Sequence, residues 1–122
     1  MSFDKHGHLV ESLLDQSHAG ALEWKPTARD SAFQVSFRAN SLQISENQHP
    51  EFVEEGVYYM ISLINSEGLT VDTFTAADLR DLPDGKNYWS MMREIYQLAR
   101  RTALGADKVL KDILGELGYI PF

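Results

Sequence analysis

The chain has 122 residues, 43% of them hydrophobic, a length and composition that suit one domain with its own core, so we expect a single α+β domain over residues 1–122. A net charge of −7 disfavours nucleic acid binding, and the lack of cysteine excludes thiol catalysis and cysteine-ligated zinc. No stretch approaches the roughly 20 apolar residues of a membrane span and no signal peptide pattern follows Met1, so we expect a cytoplasmic protein with no membrane contact.

The first part of the chain predicts a helix followed by a β-hairpin. Apolar residues at helical spacing in residues 4–19 indicate an amphipathic helix that Gly20 ends. Pro26 marks a turn or a sheet edge, because proline lacks the N–H that a central strand needs. Residues 33–45 then alternate apolar and polar side chains around a short turn, which predicts two antiparallel strands with one wet face. The apolar positions are Phe33, Val35, Phe37, Leu42 and Ile44.

The middle of the chain predicts two more strands after a polar loop. Residues 46–56 are polar and contain proline and glycine, so we expect a surface loop. Residues 57–64 are apolar on both faces, as in a central strand, and residues 69–73 follow as its antiparallel neighbour. These four strands form a meander. Thr75, with Asp78 three residues later, resembles the capping box of a short helix.

The last part of the chain predicts two helices. Residues 87–104 have a stripe at the spacing of a core-facing helix. Gly105 then breaks the helix, and Asp107 can cap a final helix that Gly118 closes. We expect these helices to pack on the same sheet face, which gives an N-terminal helix, a four-stranded antiparallel meander sheet and C-terminal helices on one sheet face. The core-facing stripe is Tyr88, Met92, Ile95, Ala99 and Thr102.

A second stripe on the long helix is the strongest candidate for a binding surface. It alternates aromatic rings with guanidinium groups at helical spacing, and its members are Trp89, Arg93, Tyr96 and Arg100. Tryptophan, tyrosine and arginine dominate the hot spots of protein interfaces, which favours a partner-binding role. The alternative is structural: Trp89 and Tyr96 pack under the final helix, while the arginines pair with acidic neighbours such as Glu94, Asp107 and Asp112.

The second face of the strand at residues 57–64 is a further candidate surface. If helices cover one sheet face only, Tyr58 and Met60 are open on the other unless the loop or a partner covers them. Most soluble oligomers are symmetric homo-oligomers, so we expect a homodimer.

No residue pattern fixes a reaction. His6 and His8 lie two apart on a helix and point about 200° apart, so we expect no metal site. The sequence motifs that bind phosphate groups and dinucleotides are absent, so no cofactor is predicted. No serine lies in a nucleophile elbow, so no catalytic residue is assigned. The acidic pair Glu54 and Glu55 and the imidazole of His49 leave open a site between the sheet and loop 46–56.

Three segments of the chain, taken in order, resemble the organisation of a known class of small proteins. They are a Leu-x-Trp segment (Leu22, Trp24), an arginine-ended helix segment (residues 95–101) and an amphipathic segment (residues 109–114). Their order after a leading helix and amphipathic strands resembles small uncharacterised orphan proteins of bacterial genomes and mobile elements, including integron cassette products. The resemblance implies no catalytic residues.

Together these features predict a non-catalytic binding module, a homodimer that recognises a protein or a small organic ligand. One alternative is an antitoxin- or immunity-like inhibitor, whose acidity would match a basic target protein. Another is a small hydrolase or isomerase with its site between the sheet and loop 46–56.

Overall fold

The computed structural model describes residues 3–48 and 56–118, and it confirms the α+β class. An N-terminal helix precedes a five-stranded antiparallel sheet, and two helices follow the sheet. The helices are α1 (Asp4–His18), α2 (Tyr88–Ala103) and α3 (Ala106–Glu116), with a 3₁₀ turn at Ala76–Leu79. The strands are β1 (Lys25–Pro26), β2 (Ala32–Ser36), β3 (Ser41–Gln48), β4 (Val57–Ile64) and β5 (Thr70–Thr75).

The sheet has one more strand than the sequence predicts. Its order is β1-β2-β3-β4-β5, a simple meander in which β4 is an interior strand but not the middle one. The extra strand β1 is only two residues long, and it pairs Lys25 with Gln34 and Pro26 with Phe33. Pro26 therefore lies at a sheet edge, the one place in a sheet where a residue without an N–H is tolerated.

Strand β3 also runs further than expected. Glu46, Asn47 and Gln48 pair with Tyr59, Tyr58 and Val57, so the first three residues of the predicted loop belong to the sheet. Polar residues can occupy these positions because a strand needs its backbone hydrogen bonds more than it needs apolar side chains. The rest of that loop, residues 49–55, lies outside the described residues.

The hydrophobic core lies between one sheet face and the helices α1 and α2. Four of the five residues of the predicted core stripe on α2 are buried, whereas Thr102 is exposed near the helix end. Gly7 of α1 is buried where α1 meets Tyr88, which makes the close approach of the two helices possible. The sheet contributes Phe33, Val35, Leu42, Ile44, Tyr59, Ile61 and Phe74 to this core.

Helix α3 does not pack on the sheet, contrary to the prediction for both C-terminal helices. None of its residues is buried, and its described contacts are with the end of α2. Gly105 turns the chain between the helices in a left-handed conformation (φ 67°), which glycine adopts without steric cost. Gly105 is also the N-cap, so Asp107 lies inside the first turn and not at the cap.

Candidate interaction surfaces

The aromatic and arginine stripe on α2 is divided between core and surface. Tyr96 is only 6% exposed, and its ring lies 5.4 Å from that of Tyr59 and 5.5 Å from that of Phe33. Trp89 is 38% exposed, its Nε1 donates a 3.3 Å hydrogen bond to the Val57 carbonyl, and its ring lies 5.7 Å from Tyr59. Both rings therefore pack against the sheet rather than under the final helix.

The two arginines of the stripe are exposed and make no ion pair within the described part of the chain. The acidic residues expected to pair with them have other partners. Glu94 lies 3.2 Å from the His18 imidazole, Asp107 lies 3.9 Å from Arg101, and Asp112 lies 3.0 Å from Lys108. Arg93 and Arg100 thus keep positive charge available for an external partner.

A tyrosine and a carboxylate meet beside this stripe. Tyr59 Oη donates a 2.9 Å hydrogen bond to Glu46 Oε2, at the part of β3 that the sequence assigns to a loop. Burial and then this hydrogen bond raise the pKa of Tyr59 to about 12, although the charge of Arg93 opposes the shift. Burial and the Glu46 charge also raise the pKa of Tyr96, while Arg100 lowers it. Both phenols stay protonated near neutral pH, so they donate hydrogen bonds and do not act as bases.

The second sheet face is partly open around Tyr58 and Met60, whereas Ala32 and Ser45 on the same face are buried. Tyr58 and Met60 are both partly exposed there, and the helices α1 and α2 lie on the opposite face. The neighbouring positions are mostly polar, because β2, β3 and β4 contribute Gln34, Gln43 and Ser62 side by side. This face therefore suits contacts by hydrogen bonds better than apolar docking.

Helix α3 carries the largest run of exposed apolar side chains. Val109, Leu110 and Ile113 are each about half exposed, at 52%, 51% and 49%, and Leu117 is 77% exposed. Their spacing puts them on one side of the helix, which is the pattern of a buried helix face. An amphipathic helix whose apolar side stays half exposed or more among the described residues is typical of an interaction surface.

A groove accompanies this helix at its junction with α2. The groove has a volume of about 330 Å³ and is lined by residues of both helices, among them Leu98, Arg101 and Ala106. We refer to residues 98–117, which include this groove and α3, as the α2–α3 arm.

The described residues bring no metal-binding cluster together. Among residues 3–48 and 56–118, no three His, Asp or Glu side chains are placed to hold a metal ion. The two neighbouring histidines of α1 point apart: His6 Nε2 lies 2.8 Å from Asp72 Oδ2, whereas His8 is exposed beside Glu11. The residues on which the hydrolase or isomerase alternative depends, His49, Glu54 and Glu55, lie outside the described residues.

No family model, no curated protein and no solved structure matches this chain. The resemblance to mobile-element orphan proteins therefore stays a prediction. In residues 3–48 and 56–118, no helix combines the length and the apolar character that crossing a bilayer requires.

Proposed function

We propose that the chain is a non-catalytic interaction module that forms a homodimer through the α2–α3 arm. The observation that carries this proposal is the apolar side of α3, where four large side chains are about half exposed or more. A helix of this kind gains little stability from its own domain, so its apolar side is explained by a partner.

The energy available at this surface is sufficient for a reversible dimer. Burying the exposed half of one leucine, isoleucine or valine side chain stabilises a complex by about 1 kcal/mol. Four such side chains from each of two copies therefore contribute about 8 kcal/mol to the free energy of association. The loss of rotational and translational freedom on association offsets part of this gain. That loss is at least about 4 kcal/mol, so about 4 kcal/mol remains at most. The expected dissociation constant is therefore about millimolar, which is the range of a transient assembly.

A second copy suits this surface because the arm has opposite charges at its two ends. Arg100 lies at the α2 end, whereas Glu116 is the last residue of α3, and neither makes an ion pair among the described residues. An antiparallel, two-fold arrangement places the basic end of one arm beside the acidic end of the other. The apolar side of α3 then lies between two complementary charged ends.

Light scattering coupled to size-exclusion chromatography tests the dimer directly. The wild-type chain, of 13.8 kDa, is expected to show a concentration-dependent rise toward twice that mass. The double variant Leu110→Glu and Ile113→Glu is expected to remain a folded monomer. Leu69→Glu with Val71→Glu is the matched control, because it places the same two negative charges on side chains that are also exposed but lie outside the arm.

A charge exchange tests the antiparallel arrangement. Arg100→Glu is expected to weaken the dimer, and the additional change Glu116→Arg is expected to restore it. A wild-type chain that remains monomeric at about 1 mM, where an interaction of about 4 kcal/mol would already be visible, overturns the proposed dimer.

A further inference from the structure

A second concave site lies on the sheet face opposite the helices, and it shares no residue with the α2–α3 arm. Strands β2, β3 and β4 form its floor, and the turns at residues 37–40 and 65–68 lie beside it. Its volume of about 410 Å³ falls within the range of about 300–1,000 Å³ that is typical of small-molecule sites. We call it the turn groove.

The lining of the turn groove contains no charged side chain. Arg38 and Glu67 belong to the same two turns, yet neither lines the groove. An anionic ligand needs cationic or helix N-terminal partners and a cationic ligand needs carboxylates, so the lining suits a neutral ligand. Its polar side chains are amides and hydroxyls, and they include Gln34, Ser36, Asn40, Ser41, Gln43 and Ser66.

Two of these amides are held in place by each other. Gln43 Nε2 donates a 2.8 Å hydrogen bond to Gln34 Oε1 across the floor. Each amide keeps one polar atom free of this bond. Nε2 of Gln34 is a donor, Oε1 of Gln43 is an acceptor, and the two lie side by side. A donor next to an acceptor matches a hydroxyl group, which donates and accepts at the same oxygen.

The turns beside the floor are held by their own hydrogen bonds. Asn65 Oδ1 accepts from the backbone N–H groups of Glu67 at 2.9 Å and Leu69 at 3.0 Å. In the other turn, the Phe37 N–H donates to the Asn40 carbonyl at 2.8 Å. A site with preformed walls loses little conformational entropy when a ligand binds.

An exposed aromatic residue, Phe37, is among those that line the groove. The apolar alternation of β2 predicts Phe37 in the core, but the strand ends at Ser36 and Phe37 is 49% exposed. Phe37 lines the turn groove, and the partly buried Ile64 contributes to the floor. An exposed phenylalanine beside amides and hydroxyls therefore offers one apolar contact among several polar ones.

We propose that the turn groove binds a neutral oligosaccharide. A sugar ring presents hydroxyl groups around its rim and an apolar C–H face, so one ligand can satisfy both the amides and Phe37. A site that hydrogen-bonds substrate hydroxyls discriminates strongly against analogues that lack them. The proposal is independent of the dimer, because the groove and the arm share no residue.

NMR titration of the full ¹⁵N-labelled chain tests this assignment. The probes are maltotriose, cellotriose and triacetylchitotriose, with trigalacturonate as a carboxylated trisaccharide of similar size. At least one neutral probe is expected to shift the side-chain amide signals of Gln34 and Gln43 and the backbone signals of residues 36–41. The expected dissociation constant is in the millimolar range. Trigalacturonate is expected to leave these signals unchanged, because no basic side chain lines the groove.

Variants separate the aromatic and the amide contributions. Phe37→Ala and Gln43→Ala are each expected to raise the dissociation constant about tenfold, the effect of about 1.4 kcal/mol. Val71→Ala is the control, since it truncates an exposed apolar side chain that neither lines the groove nor belongs to the turns beside it.

Three outcomes overturn the proposal. The first is the absence of shifts with every neutral trisaccharide, and the second is a set of shifts that maps to another part of the chain. The third is preferential binding of the blocked peptide acetyl-Ser-Asn-Ser-amide, which would assign the groove to peptides. The wild-type titration decides among these outcomes without any variant.

Discussion

Gly7 occupies the point where α1 passes closest to the start of α2. A Cβ atom at this position would lie 2.8 Å from Tyr88 Oη and 3.0 Å from Leu82 Cδ1. Tyr88 cannot withdraw freely, because its hydroxyl donates a hydrogen bond to the Asp84 carboxylate. Glycine costs about 1 kcal/mol relative to alanine inside a helix, so its presence here reflects the space that the helix contact requires.

Replacing Gly7 by alanine is therefore expected to destabilise the fold. The gain in helix propensity is outweighed by overpacking, and we expect a net loss of about 1–2 kcal/mol in the free energy of unfolding. Urea denaturation followed by circular dichroism measures this change. Gly115→Ala is the control, because the same substitution in α3 meets open space and is expected to cause no loss. A Gly7→Ala chain as stable as wild type would contradict this account.

At the scale of elements, α3 depends on its surroundings more than any other helix. It has 11 residues and no buried side chain, and isolated helices of that length are marginal in water. If the α2–α3 arm dimerises, the helicity of α3 must increase with protein concentration. The exchange of backbone amide hydrogens reports this coupling residue by residue.

Hydrogen exchange is expected to show a concentration dependence confined to the arm. In dilute solution, the amides of α3 should exchange much faster than those in the middle of α2. At concentrations where the dimer forms, they should become protected. The double variant Leu110→Glu and Ile113→Glu is the control and should show fast exchange at every concentration. Equal protection of α3 at all concentrations would indicate that the helix is stable without a partner.

The sequence predicted those elements whose signals are local. The helical spacing correctly predicts α1 and α2, and the alternation correctly predicts β2. The Thr75 N–H also donates the expected capping hydrogen bond to Asp78 Oδ2, at 2.9 Å. The features that the sequence does not predict all depend on contacts between residues far apart in the chain. Strand β1 is defined only by its pairing, and the exposure of Phe37 depends on where β2 stops.

The candidate site was predictable in part for the same reason. Helical spacing places the four residues of the stripe on one side of α2, but it does not show which of them meet the sheet. Tyr96 is buried because Tyr59 and Phe33 lie opposite it, and these residues are far away in the chain. The hydrogen bond of Tyr59 to Glu46 was missed because it requires β3 to extend through polar residues.

The stability of the whole molecule is linked to pH through its tyrosines. Burial, followed by a hydrogen bond to a carboxylate, raises the pKa of both Tyr59 and Tyr88 to about 12, whereas an unfolded tyrosine has a pKa of about 10. Their contribution to stability is therefore fully present below pH of about 10. It is lost as the pH rises from there toward 12, because the unfolded chain releases these protons first.

Alkaline unfolding is expected to begin above pH of about 10 and to steepen as these phenols ionise. The ultraviolet absorbance of phenolate should show Tyr59 and Tyr88 among the late-titrating groups of the folded chain, together with Tyr96, whose pKa is also raised. Tyr59→Phe and Tyr88→Phe should each remove one of them. If every tyrosine titrated at the pH of the free amino acid without unfolding, the two hydrogen-bonded phenols would not be protected as described.

The short first strand also limits how copies of this molecule can aggregate. Fibres that grow by adding sheets edge to edge need two receptive edges on every molecule, one to join each neighbour. At the β1 edge, Lys25 adds a charge and Pro26 removes an N–H, so that edge is a poor template for another strand. If two copies paired through their β5 edges, neither copy would have another edge that favours strand pairing. Such an assembly would therefore stop at two molecules.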